Sequence, residues 1–183
     1  MADRGDPEHD RFKAVYDQHY PAVLRYAARR VGAEAARDIA AETFLTAWRR
    51  LDDVPSGDVA RLWLYGVARR TLANHHRGER RRSALADRLR ADLAAAGQPP
   101  PFTGERADVV QAFRCLPEAD RELLALAGWE GLDAGQIAAT FGCSRNAARI
   151  RLHRARRRFA AELARERVRP LPAPVHAAKG DLA

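Results

Sequence analysis

The chain has 183 residues, of which 46% are hydrophobic, and it carries a formal net charge of +8. This length and apolar content suffice for a packed core in one ordinary domain or two small ones. The charge favours nucleic acid or another anionic surface as a partner, although an Arg-rich surface without such a partner explains it equally well. Lys13 and Lys179 are the only Lys residues, so Arg, whose planar fork pairs with phosphate and guanine, carries nearly all of the charge.

The sequence also argues against export, membrane insertion and metal binding. The N-terminal segment MADRGDPEHDRF is polar, and no apolar run approaches the length that crosses a bilayer. Cys115 and Cys143 are far apart and lack the spacing of metal ligands, as expected for a reduced intracellular chain. We therefore expect a cytoplasmic protein without a metal, another cofactor or a membrane contact.

Helical periodicity dominates the first quarter of the chain, which shows no useful strand-like alternation. Apolar residues recur every three or four positions from Phe12 to Val31, and Gly32 closes that run. A second helix is predicted from Glu34 to Leu51. The segment from Asp52 to Asp58, with its Pro, Ser and Gly, predicts a loop.

A third helix is predicted from Val59 to about His76, followed by an Arg-rich segment that reaches Arg82. It places Trp63 among Arg side chains, a mixture that suits single-stranded or distorted DNA because bases stack on rings while Arg follows the phosphates. Trp63 can equally be a core residue, and the Arg-rich end can be a solvated surface.

The rest of the chain predicts a linker, a second group of helices and a tail. Three consecutive prolines end at Pro101 and mark the linker, and apolar periodicity resumes at Val109. The segment from Pro170 onward is predicted to be disordered. The fold class is therefore all-α, with two small helical domains joined by a flexible linker. The predicted divisions are an N-terminal domain at 8–82, a linker at 83–106, a C-terminal domain at 107–165 and a tail at 166–183.

The segment from Gly131 to Phe159 predicts a helix-turn-helix. A short helix spans Ala134 to Phe141, Gly142 supplies the turn, and Ser144 caps the second helix. From Ser144 to Arg169 there are ten Arg against two Glu. The apolar stripe of the second helix is narrow, so its opposite face points outward and is predicted to read DNA. The core stripe consists of Ala148, Leu152, Ala155 and Phe159, and the predicted reading residues are Arg145, Asn146, Arg149, Ile150, His153 and Arg154.

Two alternatives stay open for this second helix. It can be a solvated basic helix of an ordinary bundle, although the Gly turn and the outward Asn and Arg side chains favour DNA recognition. Ile150 can contact a thymine methyl group in the major groove or pack against a neighbouring helix.

An acidic stretch separates the two basic segments. Between Glu34 and Asp58 there are six acids and three Arg. An acidic patch with apolar neighbours on a DNA-binding protein suggests a protein partner, whereas a solvated helix face is the ordinary explanation.

Four segments in this order make the chain resemble sigma factors of the extracytoplasmic-function group over about Arg11 to Leu163. They are DIAAETFLTAWRRL (38–51), RLWLYGVARRTLANHHRGERRR (61–82), LPEADRELLAL (116–126) and SRNAARIRLHRARRRF (144–159). The resemblance implies sigma region 2 and sigma region 4 on either side of a linker. It implies a transcription initiation factor, not an enzyme, that binds core RNA polymerase, recognises the −10 and −35 promoter elements and aids strand opening.

The resemblance also implies roles for individual residues. Docking on the polymerase clamp falls to Asp38, Glu42, Thr43, Phe44 and Trp48. Recognition of the −10 element falls to Asp53, Ser56, Trp63, Arg70, Asn74 and Arg77. Recognition of the −35 element is implied for the six reading residues of the helix-turn-helix. An anti-sigma factor is a further candidate partner, and the free protein is expected to be a monomer.

This chain departs from the family pattern at two places. Arg70 stands where the family often has Asn, and Asn146-Ala147-Ala148 stands where it tends to have Gly-Thr-Val. Both departures affect the promoter that is preferred, not the class of protein.

Two other classes of protein compete with this interpretation. A stand-alone helix-turn-helix transcriptional regulator would need a dimer interface or a ligand domain, and the N-terminal half offers neither clearly. A nuclease could hold Mg²⁺ through Asp52, Asp53 and Asp58, but these carboxylates lie in one loop without partners from elsewhere.

Overall fold

A computed structural model describes residues 7–90 and 105–168, which form six α-helices and one short 3₁₀ turn without any strand. The helices are α1 (Pro7–Arg49), α2 (Asp58–Arg90), α3 (Glu105–Cys115), α4 (Glu118–Gly128), α5 (Ala134–Phe141) and α6 (Arg145–Val168). The predicted all-α class is confirmed. The linker prolines and the tail from residue 169 lie outside the described residues. No helix in the described ranges is long and apolar enough to cross a membrane.

Helix α1 contains the predicted break between the first two helical runs. Gly32 has a φ of 80° and a ψ of 171°, which interrupts the helical backbone and divides α1 into two arms. This left-handed φ is accessible to Gly at little cost, so the break predicted at this residue is confirmed. Pro21 lies inside the first arm.

Helix α2 is longer than the sequence pattern predicts. The predicted end lies near His76, whereas the helix runs on to Arg90, so the predicted domain boundary at 82 falls inside it. The added segment is rich in Arg, Ala and Leu, which are strong helix formers, and contains no Pro. Intrinsic propensity therefore extends the helix where apolar periodicity has faded.

The N-terminal unit consists of α1, α2 and the 3₁₀ turn at Leu51–Asp53. Helix α1 packs against α2, and Tyr26 of α1 and Leu64 of α2 are fully buried. Tyr26 stacks on Tyr65 of α2 with ring centroids 4.8 Å apart. The apolar face predicted for the helical run from Phe12 to Val31 does not include Tyr26.

The C-terminal unit consists of α3 to α6, and its packing centres on the long helix α6. Leu126 of α4 and Ile137 of α5 are fully buried, as are Ala112 of α3 and Ala155 of α6. The short helices α3, α4 and α5 all contact α6, which is therefore both the scaffold of the unit and its most basic helix.

The two units share one continuous hydrophobic core within the described residues. The buried cluster runs from Val23 and Leu72 of the N-terminal unit to Leu126 and Ile137 of the C-terminal unit. Helix α2 packs on α5, and Gly66 allows the closest approach, because a Cβ at this position would lie 3.0 Å from the Thr140 carbonyl oxygen. The sequence predicts two small helical domains, and in the described residues the helices of the two units also pack against each other.

Candidate nucleic-acid interface

The helix-turn-helix is built from α5, the turn at Gly142 and α6. Asp133 caps α5 by accepting hydrogen bonds from the backbone N–H groups of Gly135 at 2.6 Å and Gln136 at 2.9 Å. The Gln136 side chain accepts from the Asp133 N–H at 3.0 Å and completes a capping box. The hydrogen bonds from Gln136 and Gly135 lower the pKa of Asp133.

The turn adopts the geometry that its sequence predicts. Gly142 ends α5 in the left-handed conformation, with φ 64° and ψ 41°. The Ser144 hydroxyl accepts a hydrogen bond from the Ala147 N–H at 3.2 Å, which confirms Ser144 as the cap of α6. The predicted bounds of α5, Ala134 to Phe141, are those of the structure.

Packing fixes which face of α6 points outward. Ala148, Leu152 and Ala155 are buried and Phe159 is half-buried, so the predicted core stripe is confirmed. The Arg158 guanidinium pairs with the buried carboxylate of Asp120 and ties the middle of α6 to α4.

The six residues predicted to read the −35 element lie on the surface that this packing leaves open. Arg145, Asn146, Arg149, Ile150, His153 and Arg154 are all exposed. Ile150 retains 42% of its exposure, so the neighbouring helices do not cover it. Packing against a neighbouring helix, one of the two interpretations of Ile150, therefore does not explain why an apolar side chain stands at this position.

An Asn–Arg pair recurs on the basic helix of each unit. Arg149 donates to the Asn146 side-chain oxygen at 3.2 Å, and Arg77 donates to the side-chain oxygen of Asn74. In each pair the Asn oxygen accepts one Arg N–H, and the Asn amide N–H groups remain as donors beside the oxygen's second lone pair.

Helix α2 places four of the residues predicted to read the −10 element on one stripe. Trp63, Arg70, Asn74 and Arg77 follow a spacing of seven, four and three, which keeps them on one side of a helix. Arg70, Asn74 and Arg77 are exposed, and Trp63 is half-buried with the Arg50 guanidinium 6.0 Å from its ring centroid.

Asp53 and Ser56, the other predicted −10 residues, are exposed in the loop before α2. Buried Leu51 and Val54 anchor this loop, and Arg11 donates to the Val54 carbonyl oxygen at 3.0 Å. The Asp53 carboxylate pairs with Arg50 at 2.7 Å. The loop is thus held at its base while its polar tip faces solvent.

The five predicted polymerase-docking residues divide into two groups. Asp38, Glu42 and Trp48 are exposed, whereas Thr43 and Phe44 retain only 0% and 2% of their surface. The Thr43 hydroxyl donates to the Ile39 carbonyl oxygen at 2.7 Å inside the core. Thr43 and Phe44 therefore support this face from beneath, because their side chains do not reach its surface.

The exposed Trp48 contacts the rings of His9 and Phe12 from the first arm of α1. The Phe12 ring lies 5.0 Å from Trp48 and 6.5 Å from Phe44, measured between centroids. Leu45 keeps 47% of its exposure on the same arm of α1 and is absent from the predicted docking set. In the sequence, the apolar character of Leu45 close to acidic residues was the signal that could have added it to the docking set.

Contacts between the two units involve residues that the sequence pattern did not single out. Tyr26 and Arg30 of α1 meet Glu122 of α4 and Glu130, which follows α4. These partners are separated by 92 to 100 positions, and neither helical period nor motif spacing connects residues so far apart. A groove of about 1150 Å³ also lies between the units, lined by Phe113, Trp129, Phe141, Phe159, Arg69 and Arg156 among others.

Comparison with known proteins identifies both units. The family model Sigma-70 region 2 matches residues 15–82, and Sigma-70, region 4 matches residues 106–159. The chain is 29% identical over 147 residues to the ECF RNA polymerase sigma factor SigL of Mycobacterium tuberculosis, which covers 77% of this chain and 82% of SigL. It is 31% identical over 163 residues to SigD of the same species, covering 82% of this chain and 76% of SigD.

Solved structures show the same arrangement of helices. CnrH in complex with the cytosolic domain of CnrY has a TM-score of 0.57 and 25% identity, covering 84% of this chain and 88% of CnrH. RpoE in complex with the anti-sigma factor NepR, from Bartonella quintana, has a TM-score of 0.55 and 23% identity. The match covers 84% of this chain and 96% of RpoE. The fold is therefore common to these proteins and to this chain.

Proposed function

The chain belongs to the extracytoplasmic-function group of the sigma-70 family, and we propose how its residues divide the work of promoter recognition. It is a transcription initiation factor that binds core RNA polymerase and directs it to promoters. In our proposal region 2 covers the predicted 8–82 domain and region 4 covers 107–165, with the intervening residues as a tether.

The observation that carries the proposal for region 4 is the outward face of α6. Six side chains capable of contacting bases or phosphates are exposed on a capped helix behind a left-handed Gly turn. A helix of this kind enters the major groove with the residues of its first turns. We assign −35 recognition to Arg145, Asn146, Arg149, Ile150, His153 and Arg154.

Recognition of the −10 element is assigned to α2 and to the loop before it. The stripe formed by Arg70, Asn74 and Arg77 provides charge and hydrogen-bond donors, and the exposed loop tip with Asp53 and Ser56 provides a place for an extruded base. Unstacking one base step costs a few kcal/mol, which binding of the extruded base offsets.

Docking on polymerase is assigned to the second arm of α1. Asp38 and Glu42 supply negative charge, and Trp48 and Leu45 supply exposed apolar surface. Electrostatic complementarity of this kind fixes orientation and accelerates association more than it adds affinity. Once the factor is tethered to polymerase, the effective concentration of each promoter contact rises.

We propose that the protein is a cytoplasmic regulator without catalytic activity. Of the carboxylates that a metal-dependent nuclease would need, Asp53 pairs with Arg50, and Asp52 lies 3.6 Å from Arg11. An anti-sigma factor is a further proposed partner, since CnrH and RpoE were both solved as complexes with another protein. The groove between the units, with its aromatic rings and Arg side chains, is the candidate surface for it.

Run-off transcription with purified core polymerase tests the function. We expect a one-to-one complex with core polymerase and transcripts from a promoter that carries −10 and −35 elements. A stand-alone regulator would instead bind its operator without polymerase and would yield no transcript of its own. Absence of binding to core polymerase at low salt would contradict the proposal, and loss of a DNA-cleaving activity on chelation would favour a nuclease.

A further inference from the structure

Two Arg side chains flank the loop that precedes α2. We call residues 52–57 the −10 loop, after the element to which the proposed function assigns it. Arg11, near the start of α1, donates a hydrogen bond to the Val54 carbonyl oxygen at 3.0 Å and lies 3.6 Å from the Asp52 carboxylate. Arg50, which directly precedes the 3₁₀ turn, pairs with the Asp53 carboxylate. One guanidinium group thus holds the base of the −10 loop, and the other holds a side chain at its tip.

The contact between Arg50 and Asp53 uses only one oxygen of the carboxylate. Arg50 Nε donates to Asp53 Oδ2 at 2.8 Å, and Arg50 Nη2 lies 2.7 Å from the same oxygen. The backbone N–H of Asp53 also donates to the Arg50 carbonyl oxygen at 2.9 Å, so main chain and side chain are both tied to Arg50. The Asp53 side chain is 55% exposed. Its other oxygen, Oδ1, accepts no hydrogen bond from the described residues and is an open acceptor.

This exposed ion pair orients the carboxylate more than it stabilises the fold. Exposed pairs contribute little to the free energy of unfolding, because water screens both charges and both side chains lose rotamer freedom. Two N–H groups that converge on one oxygen nevertheless fix the direction of the carboxylate. The Arg50 guanidinium carbon also lies 6.0 Å from the ring centroid of Trp63, at the outer limit of a cation–π contact. Arg50 therefore connects the direction of the Asp53 side chain to α2.

Arg11 acts on the position of the main chain next to Asp53. Val54 leaves the 3₁₀ turn in an extended conformation, with φ −75° and ψ 114°, and its side chain is buried. Its carbonyl oxygen accepts the Arg11 hydrogen bond from 43 positions away. Because Val54 directly follows Asp53, a shift of this carbonyl group would carry the Asp53 side chain with it.

An open carboxylate oxygen accepts hydrogen bonds but cannot donate them, and this decides which base it favours. An extruded base is recognised through its Watson–Crick edge. Adenine and cytosine carry an exocyclic amino group where thymine carries a carbonyl oxygen. The amino group donates to a carboxylate oxygen, whereas a carbonyl oxygen opposes it acceptor to acceptor. Guanine carries both kinds of group and does not discriminate between these cases.

We propose that Arg11 and Arg50 are positioning residues of the −10 loop, which aim the open oxygen of Asp53 at the extruded base and make the loop select adenine or cytosine over thymine. This inference rests on the proposed capture of a −10 base by the loop and adds the class of base to it. Arg50 acts through the direction of the Asp53 side chain, and Arg11 acts through the position of the main chain.

The test measures base preference in the complete holoenzyme. The full-length protein and core polymerase are incubated with promoter DNA in which the non-template strand of the −10 element is unpaired and randomised, and the bound DNA is sequenced. For the wild type we expect one position at which adenine or cytosine exceeds thymine by roughly three- to tenfold, as one exposed hydrogen bond allows. Arg50→Ala and Arg11→Ala should each reduce this ratio below about twofold at that position and leave the other positions unchanged.

Asp53→Asn gives the sharpest readout of direction. The single amide oxygen can accept both Arg50 N–H groups, because in the wild type these converge on one oxygen. The amide NH₂ group then stands in place of the open oxygen, and it donates. We expect the preference to reverse toward thymine in Asp53→Asn. The reversal should disappear when Arg50→Ala is combined with Asp53→Asn, because the amide is then free to rotate.

Arg49→Ala and Lys13→Ala are the matched controls. Each removes one positive charge close to a residue under test, and both side chains are exposed. Lys13 pairs with Asp17 on its own helix, and Arg49 forms no ion pair within the described ranges. Both controls should keep the preference against thymine. The unfolding midpoint of Arg50→Ala should stay within about 3 °C of the wild type, which separates a change in selection from damage to the unit.

The outcomes distinguish this inference from the function on which it rests. Unchanged discrimination against thymine in either Arg→Ala variant would overturn the role of that Arg, and so would an equal loss of preference at every position. A reversal that persists without Arg50 would show that Arg50 does not direct the side chain. A wild-type preference for thymine at the position that responds to Asp53→Asn would overturn the class of base. A wild-type holoenzyme that selects no −10 sequence would instead count against the proposed function.

Discussion

The hydroxyl of Tyr26 donates a 2.6 Å hydrogen bond to the Glu122 carboxylate across 96 positions of sequence. The same Tyr26 ring stacks on Tyr65 and lies 3.6 Å below the Arg30 guanidinium carbon, measured to the ring centroid. The fully buried Tyr26 ring thus belongs to the core of the N-terminal unit, while its hydroxyl group hydrogen-bonds to Glu122 of the C-terminal unit.

This relationship predicts a specific sensitivity to alkaline pH. Burial, and then the negative charge of Glu122, raise the pKa of Tyr26 well above its ordinary value. Because the folded-state pKa is the higher one, the stabilising contribution is complete below the unfolded-state pKa of about 10 and is lost as pH rises through the folded value. Tyr26→Phe keeps the ring but cannot ionise.

We therefore expect Tyr26→Phe to be less stable than the wild type by about 1 kcal/mol at pH 8, the usual loss for one hydrogen bond. The difference should shrink above about pH 10. Thermal unfolding of both proteins between pH 7 and 11 measures this, and curves that stay parallel over the whole range would contradict the prediction. Tyr16 and Tyr65 titrate in both proteins, so their contributions cancel.

The Asn146–Arg149 pair predicts how α6 discriminates between bases. Arg149→Ala should weaken promoter binding by roughly 1–3 kcal/mol and alter the base preferred at one position of the −35 element. Asn146→Ala should cost less affinity but relax the base preference at the same position, because Arg149 loses the group that orients it. Binding to a set of −35 variants at fixed salt measures both effects.

A matched control comes from the far end of the same helix. Arg165→Ala removes the same charge from an exposed residue that pairs with Glu162, three turns or more beyond the reading residues. It should change affinity little and preference not at all. Equal weakening on every sequence by Arg149→Ala would show that Arg149 contacts phosphate only.

Surface and core residues in the second arm of α1 should respond differently to substitution. Glu42→Lys should impair assembly with core polymerase without changing the unfolding midpoint, because the Glu42 side chain is exposed. Phe44→Ala should instead lower the free energy of unfolding by about 3–5 kcal/mol, as expected for a buried aromatic residue.

Assembly measured by size exclusion and stability measured by circular dichroism separate these two outcomes. Asp17→Lys is the matched charge reversal, since Asp17 is exposed on the first arm of α1 and pairs only with nearby Lys13 among its described contacts. It should leave assembly unchanged. Normal assembly of the Glu42→Lys protein would refute the assigned role of Glu42.

The cap of α5 predicts a local response to acid. Hydrogen bonds from Gln136 and Gly135 lower the pKa of Asp133. The stabilising contribution is therefore present above the unfolded-state pKa of about 3.9 and is lost as pH falls through the lower folded value. Exchange of the Gly135 and Gln136 amide hydrogens should accelerate in that acidic window.

Asp133→Asn distinguishes titration of the cap from general acid unfolding. Asn retains a side-chain oxygen that accepts the same hydrogen bonds but does not ionise in this range. Its amide exchange should lack the acid-dependent increase that is specific to α5. The same pH profile in both proteins would show that Asp133 does not control the start of the helix.

Local chemistry made much of this protein predictable from sequence. The helix-turn-helix depends on Gly142, Ser144 and a stripe of apolar residues, all of which act within a few positions of one another. The break at Gly32 is equally local. Helical period also separated the inward from the outward face of α6, because packing of a regular helix repeats with its own geometry. The resemblance to sigma factors followed from the order of such local segments.

Only the tertiary structure decided which residues of different segments meet. Thr43 and Phe44 share a motif with Glu42 and Trp48, yet the first two are buried in the core and the others are exposed, and Phe44 packs against aromatic rings from the first arm of α1. The shared core of the two units, the contacts of Arg30 with Glu122 and Glu130, and the Gly66–Thr140 contact join positions that are far apart in sequence. The sequence determined most of the helices and which side chains they expose. Long-range packing, which helical periodicity does not reveal, decided how the reading surfaces on α2 and α6 are positioned relative to each other.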